Sequence, residues 1–226
     1  MEPFCGGLAI TIGLAPQDAL LNDINPHVIN FYRWARRGLV VDIPLRNSRL
    51  LYNHHRHRFN ELVTSGRSDS KEAAALFYFL NRTGFNGLCR FNRSGEFNVP
   101  FGAYKTITYT TDFTPYRTLF GRYQFTSVDF ESLSLDRNDF IYADPPYDVE
   151  FTQYAQQPFA WADQVRCATW LANHPGPVVL SNQATPRIIK LYRNLGFRLR
   201  FLRAPRRISC NGDRTPANEV LALKNL

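Results

Sequence analysis

The chain has 226 residues, 44% of them hydrophobic and 14% aromatic, which suffices for one large core or a core domain with an insert. No apolar run reaches 18 residues and no charged start precedes an apolar block, so the composition argues against a membrane span and a secretory leader, and the expected location is the cytoplasm. The net charge is +8 and almost wholly arginine, with 23 arginines against the four lysines Lys71, Lys105, Lys190 and Lys224. Guanidinium groups grip phosphates and guanine edges in a two-pronged way, so this balance points towards a nucleic-acid partner.

In chain order, residues 19–22 read as a short strand ending at Asp23. Pro26 then opens a helix running to about residue 37. Residues 48–83 read as helical, with Ser68-Asp69-Ser70 capping a helix that starts at Lys71. Residues 84–116 are rich in Gly, Asn, Arg and aromatics and read as loop or hairpin, turning at Ser94-Gly95. Strands follow at 140–143 and 178–181, then a helix at 186–194 closed by Gly196, and a final antiparallel pair at 197–202 and 219–223. Strand–helix alternation predicts an α/β fold whose sheet is interrupted by an insert. The expected boundaries are a discontinuous core, 1–47 with 117–226, and a mostly helical insert, 48–116, carrying a β-hairpin at 84–102.

Four segments carry chemistry. Asp144-Pro145-Pro146-Tyr147 directly follows a strand. A carboxylate and a carbonyl side by side can accept the two hydrogens of an aromatic amine whose lone pair is delocalised into its ring. The nitrogen is thereby drawn towards a tetrahedral shape and can attack a methyl sulfonium. Asp144 supplies the carboxylate and Pro145 the carbonyl. The prolines stiffen the turn, and Tyr147 offers a face for a flipped base. The plain alternative is a strand-to-helix turn with a capping acid.

Near the start, Phe4-Cys5-Gly6-Gly7 lets backbone pass close to a ligand. Asp23 and Ile24 lie at another strand end, where ligands of open α/β sheets sit. An acid there suits the ribose hydroxyls of a nucleoside. The pattern is not GxGxxG and no lysine marks a phosphate loop, so a nucleoside cofactor without phosphates fits better. Gly-Gly can equally be only a turn. The block 81–102 interleaves Arg82, Asn86, Arg90, Asn92, Arg93 and Asn98 with aromatics, in the style of a hairpin that enters a DNA groove, or of a solvated surface hairpin. A last polar, basic stretch, 206–214, contains Asn211. No metal site is expected. The run His54-His55-Arg56-His57-Arg58 has no acidic or thiol partner nearby and reads as a basic helical face, and Arg33, Arg36 and Arg37 read as the solvated side of their helix. The four cysteines are scattered and read as thiols.

Together these segments resemble the DNA adenine methyltransferases of the Dam class, the D12 group, along nearly the whole chain and in the family's motif order. The resemblance implies a Rossmann-like methyltransferase sheet that takes S-adenosylmethionine and methylates N6 of a flipped adenine in double-stranded DNA. It implies a cofactor motif around Phe4, Cys5, Gly6 and Gly7, with Asp23 on the ribose and Asp129-Phe130 around the cofactor adenine. Asp144 to Tyr147 become the catalytic motif, and the 81–102 block becomes the target-recognition hairpin. Within it, Arg90 is assigned to base reading and Arg82 and Arg93 to phosphates, while Ser181-Asn182 and the stretch around Asn211 fall near the substrate base. Family members usually open with a Lys- and Gly-bearing segment that contacts the methionine end of the cofactor. Here the expectation is that this piece is missing, or supplied by a second polypeptide, with weak cofactor binding if it is absent. Two rival readings stay open: a methyltransferase for cytosine N4, and a DNA-binding module that has lost catalysis.

Overall fold

The computed structural model describes residues 1–148, 159–204 and 217–226. The chain is mixed α/β and divides into two units. Among the described residues, the first comprises 1–24, 126–148, 159–204 and 217–226, and the second comprises 25–125.

In the first unit, β3 (Ile141–Ala143) pairs in parallel with β4 (Val178–Gln183). β4 in turn pairs antiparallel with β6 (Ala217–Lys224), whose other neighbour is β5 (Arg198–Ala204). The expected closing hairpin is therefore present, longer at both strands than its apolar pattern marks. β3 is short and apolar because it lies inside the sheet, as parallel strands do. Helices α6 (Trp161–Ala172) and α7 (Pro186–Asn194) cover it, burying Cys167, Ala168, Leu171, Ile188 and Tyr192 against Ile141, Val178, Leu180, Val220 and Ala222. Thr185 caps α7 by accepting from the Ile188 amide, with Pro186 in the first turn.

Residues 1–3 run as an extra strand on the other side of β3. The Met1 amino group donates to the Phe140 carbonyl at 2.7 Å, and the Tyr142 amide donates to the Met1 carbonyl at 3.0 Å. One residue on, Glu2 exchanges two backbone bonds with Leu20 and Asn22 of β1 (Ala19–Asn22), at 3.0 and 2.9 Å. Asn22 closes this edge. It is fully buried, and its amide donates to the Pro3 and Val128 carbonyls while its oxygen accepts from the Val128 amide and the Thr126 hydroxyl, all at 3.0 Å. Every donor and acceptor position of the side chain is used. A six-residue helix, α1 (Ala9–Leu14), follows the glycines and is not marked by any pattern in the sequence.

The second unit centres on α4 (Lys71–Thr83), which packs against both α2 (Pro26–Arg36) and α3 (Arg49–Thr64). Its face from Ala73 to Leu80 is buried almost without break, and Ser70 caps it as expected, accepting from the Ala73 amide at 3.2 Å. Asn30 and Trp34 of α2 donate to the carbonyls of Ser68, Ser70 and Asp69, holding the turn that leads into α4. After α5 (Arg117–Gly121) comes β2 (Tyr123–Thr126). Here Arg33 and Arg36 differ from the expected solvated role: they donate to the Phe125 and Tyr123 carbonyls at 3.0 and 3.1 Å, and Arg37 lies over the Trp34 ring. The basic run on α3 is also mostly structural. His55 is buried on the Pro44 carbonyl, Arg56 donates to Val99, and Arg58 pairs with Glu72.

Replacing Asn22 by alanine strands up to four polar groups, one buried and three part-buried, each worth at most about 1–3 kcal/mol when left unsatisfied, softened by relaxation. The expected loss is roughly 2–4 kcal/mol, read by urea denaturation; a loss below about 1 kcal/mol contradicts the clamp.

Candidate active site

Asn22 and the backbone ladder of residues 1–3 bring the first motif to the end of β1. The Cys5 amide donates to the Asn22 carbonyl at 2.8 Å, and one residue on the Gly6 amide donates to Asp23 Oδ2 at 3.1 Å. Gly6 adopts a φ of 41° and a Cβ placed on either Gly6 or Gly7 meets nothing within 4 Å, so main chain there borders open space. Ile24 is 68% exposed beside Asp23. Cys5 is buried, and burial first, then the charges of Asp23 and Glu2, push its thiol far up. It is an inert packing residue.

Glu2 is buried and takes a hydrogen bond from the Thr11 hydroxyl at 2.6 Å, which ties α1 to the first strand. Burial lifts its carboxyl above the usual range, and the charge of Asp144 adds to the lift. The backbone bonds of Met1 to Phe140 and Tyr142 place residues 1–3 alongside β3, which ends next to Asp144.

Asp129 and Phe130 lie beside the first motif. Phe130 is buried, with its ring 5.4 Å from those of Phe4 and Trp170, and Phe159 completes the cluster. Arg166 of α6 grips the Asp129 carboxylate two-pronged, at 2.8 and 2.9 Å, while also donating to Glu131 and Asp163, and its guanidinium sits 4.3 Å from the centre of the Phe130 ring. The pairing holds the Asp129 carboxyl below its ordinary value. Arg166 carries no motif signature in the sequence.

The turn after β3 follows from strand register. β3 and β4 pair Ala143 with Leu180, so the next residues, Asp144 and Ser181, fall side by side. The Ser181 hydroxyl donates to Asp144 Oδ1. The Pro146 carbonyl accepts from Gln164 Nε2 at 2.7 Å, and the Tyr147 hydroxyl reaches Glu219. Burial, then the charge of Asp144, raises the Tyr147 hydroxyl well above the tyrosine range. One residue on, Asp148 is buried: its amide donates to Asn182 at 2.9 Å and its carboxylate accepts from Thr185 and from Arg187, which stacks on Trp161. Asp144 and Pro146 are exposed, and Pro145 and Asp148 are buried.

In the second unit, residues 84–102 fold back on themselves. Phe91 faces Phe97 and Gly84 faces Phe101 as antiparallel bridges. Asn60 of α3 exchanges two bonds with the Phe97 main chain, and Tyr52 and Arg56 donate to the Val99 carbonyl. Gly102 is pressed so close to Thr83 and Gly84 that a Cβ would lie 2.7 and 2.8 Å from their carbonyl oxygens. Arg82, Arg90 and Arg93 are exposed. Arg82 donates to the Thr108 carbonyl, and Arg90 Nε donates to Asn98 Oδ1 at 2.8 Å. Asn86 has a φ of 52°, and Asn92 accepts from the Ser94 and Glu96 amides, so both shape turns. Asn211 lies outside the described residues.

A family model for D12 class N6 adenine-specific DNA methyltransferases matches residues 1–203. The chain is 36% identical to a DNA N-6-adenine-methyltransferase of Escherichia phage P1, over 99% of this chain and 32% of that protein, so it spans about a third of that relative's length. It is 33% identical to the Retron Ec67 DNA adenine methylase of Escherichia coli, and 30% identical to the DNA adenine methylase of E. coli K12. Both likenesses cover 99% of this chain, with 81% and 85% of the relative.

Glu2 yields a prediction with a sign. Its folded carboxyl binds a proton more readily than its unfolded one, so the stability it lends is complete at pH below the ordinary glutamate value. That stability fades as pH rises through the raised folded value. Glu2→Gln should remove this part of the pH dependence, flattening a plot of unfolding free energy against pH through the mildly acidic range; an unchanged slope refutes it.

Proposed function

The chain belongs to the D12 class of N6 adenine-specific DNA methyltransferases, and from that premise we propose how its own residues move a methyl group from S-adenosylmethionine to N6 of adenine in double-stranded DNA. The observation that carries this reading is the Asp144 carboxylate, exposed at the end of β3 on a turn tied down at Ser181, Gln164 and Asn182. In this reading the first unit is a Rossmann-like methyltransferase core acting in the cytoplasm of a bacterial cell.

The residues present fit a phosphate-free nucleoside cofactor. Gly6 and Gly7 border open space, and the Gly6 amide holds the Asp23 carboxylate beside them, where it is placed to meet vicinal hydroxyls. Phe4 and Phe130 supply aromatic walls. S-adenosylmethionine, when bound, supplies an electrophilic methyl group on a sulfonium.

Asp144 and the Pro145 carbonyl accept the two hydrogens of the adenine amine and aim its lone pair. Tyr147 stacks against the extruded base. Because the turn is already fixed, the effect is one of positioning, which can supply several kcal/mol of the barrier without acid–base chemistry. The amine proton released after transfer has Asp144 as its first acceptor. The second unit carries target recognition: Arg90 reads a base edge in the major groove, and Arg82 and Arg93 meet phosphates.

Asp144→Ala should abolish methyl transfer to unmethylated DNA while leaving DNA affinity within a few-fold of the parent; transfer at the parental rate refutes the mechanism. Arg90→Ala should cost roughly 1–3 kcal/mol of discrimination at a single base pair. Competition among duplexes differing at one position measures it, and a uniform loss across all sequences would assign Arg90 to the backbone instead.

A further inference from the structure

Gln164 lies in the first turns of α6, is buried, and belongs to no motif. The orientation of its amide is forced by its neighbours. Asn182 Oδ1 accepts from two backbone amides, those of Asp148 and Gln183, each at 2.9 Å. The Asn182 nitrogen must therefore face the other way, and it donates to Gln164 Oε1 at 2.9 Å and to the Tyr192 hydroxyl at 3.0 Å. With its oxygen so engaged, Gln164 can present only its nitrogen to the Pro146 carbonyl, at 2.7 Å. A chain of obligatory polarity thus runs from the backbone beyond the turn, through two buried side-chain amides, back to the second proline of the turn itself.

We propose that Gln164 is a positioning residue for methyl transfer, setting the shape of the Asp144-Pro145-Pro146-Tyr147 turn through the Pro146 carbonyl. The inference rests on the reading of that turn given above. The Gln164 amide keeps the peptide planes of the two prolines fixed in sequence, so that Asp144 and the Pro145 carbonyl act on one amine together. Ser181 fixes the Asp144 end and Asn182 the Asp148 end; between them Gln164 holds the main chain at the Pro146 carbonyl, while Tyr147 is held by its side chain on Glu219.

Gln164→Glu tests it with little change of shape. One carboxylate oxygen still accepts from Asn182, but the other faces the Pro146 oxygen with no hydrogen between them. Protonating the carboxylate restores the donor. Among the described residues, the charged or titratable groups around the amide pair are the Tyr192 hydroxyl and Arg187 from α7, Asp144, Tyr147 and Asp148 of the turn, Glu219 of β6, and from α6 the buried Cys167 thiol and Asp163 with its partner Arg166. Burial keeps both tyrosines protonated over the range used.

The measurement is the single-turnover rate of methylation of unmethylated duplex DNA with S-adenosylmethionine, alongside separate binding constants for each. At about pH 8 the Glu variant should be roughly tenfold or more slower than the parent, with both binding constants within about threefold. The deficit should shrink by lowering the pH to about 6. A rate within about threefold of the parent at about pH 8, or a deficit that stays constant with pH, overturns the proposal. Should the Glu variant fail to fold, Gln164→Met decides: a slow rate with intact binding supports the role, and a parental rate overturns it. Asp144→Ala run in parallel separates the two levels. If that variant transfers methyl groups normally, the reading of the turn has failed; if it is inactive while both Gln164 variants are normal, only the present inference has.

Discussion

A carboxylate at the end of a parallel strand is useful only if the peptide that follows cannot relax. β3 ends at Ala143, and beyond it, among the described residues, the main chain has no ladder partner to fix its direction. In this protein side chains take over from the ladder: buried Ser181 at Asp144, buried Gln164 at Pro146, and at Asp148 buried Asn182 and Thr185 with the exposed Arg187. Ser181 and Asn182 come from β4, Arg187 from α7 and Thr185 from its N-cap, so the packing of Leu180, Ile188 and Tyr192 that seats those elements also sets the turn. Core and chemistry are coupled through a few hydrogen bonds from side chains to the turn, and a buried polar group left without such a bond costs more than the bond contributes when made.

The same device recurs in the second unit, on a different element. Hairpins of this length are marginal alone. This one is seated by burial of Phe97 and Val99 and by side chains of α3 that bond its main chain at those residues. The outward-facing arginines are thereby carried on a surface that has a rigid underside.

The strand ends that carry the candidate site were legible in the sequence, because strand ends advertise themselves. An apolar run stopping at Asp-Pro-Pro-Tyr, or at Asn-Asp, marks a carboxyl end whatever the tertiary context. The helix from Lys71 was legible through its cap, and the final hairpin through its apolar pattern. What stayed hidden were single polar residues whose partners are distant in the chain. Asn22, Gln164, Arg166 and Asp148 have no spacing rule; their roles exist only once β1, β4, α6 and α7 come together. Arg33 and Arg36 misled for a related reason. Helical periodicity puts them on a polar face, but that face meets the carbonyls of β2. α1 escaped notice because six residues flanked by left-handed Leu8 and Ala15 leave too little pattern to read.

Arg90 does not hang free in water. Its Nε and one terminal nitrogen rest on the side-chain and main-chain oxygens of Asn98, across the hairpin. A guanidinium docked along one edge keeps its opposite edge turned outward like a two-pin plug on a bracket. Much of the rotamer freedom that a long side chain surrenders on meeting a partner has been surrendered already, in the isolated protein. The angle at which those pins arrive is then dictated by Asn98, so the fidelity of whatever they meet is partly written into the residue across the hairpin.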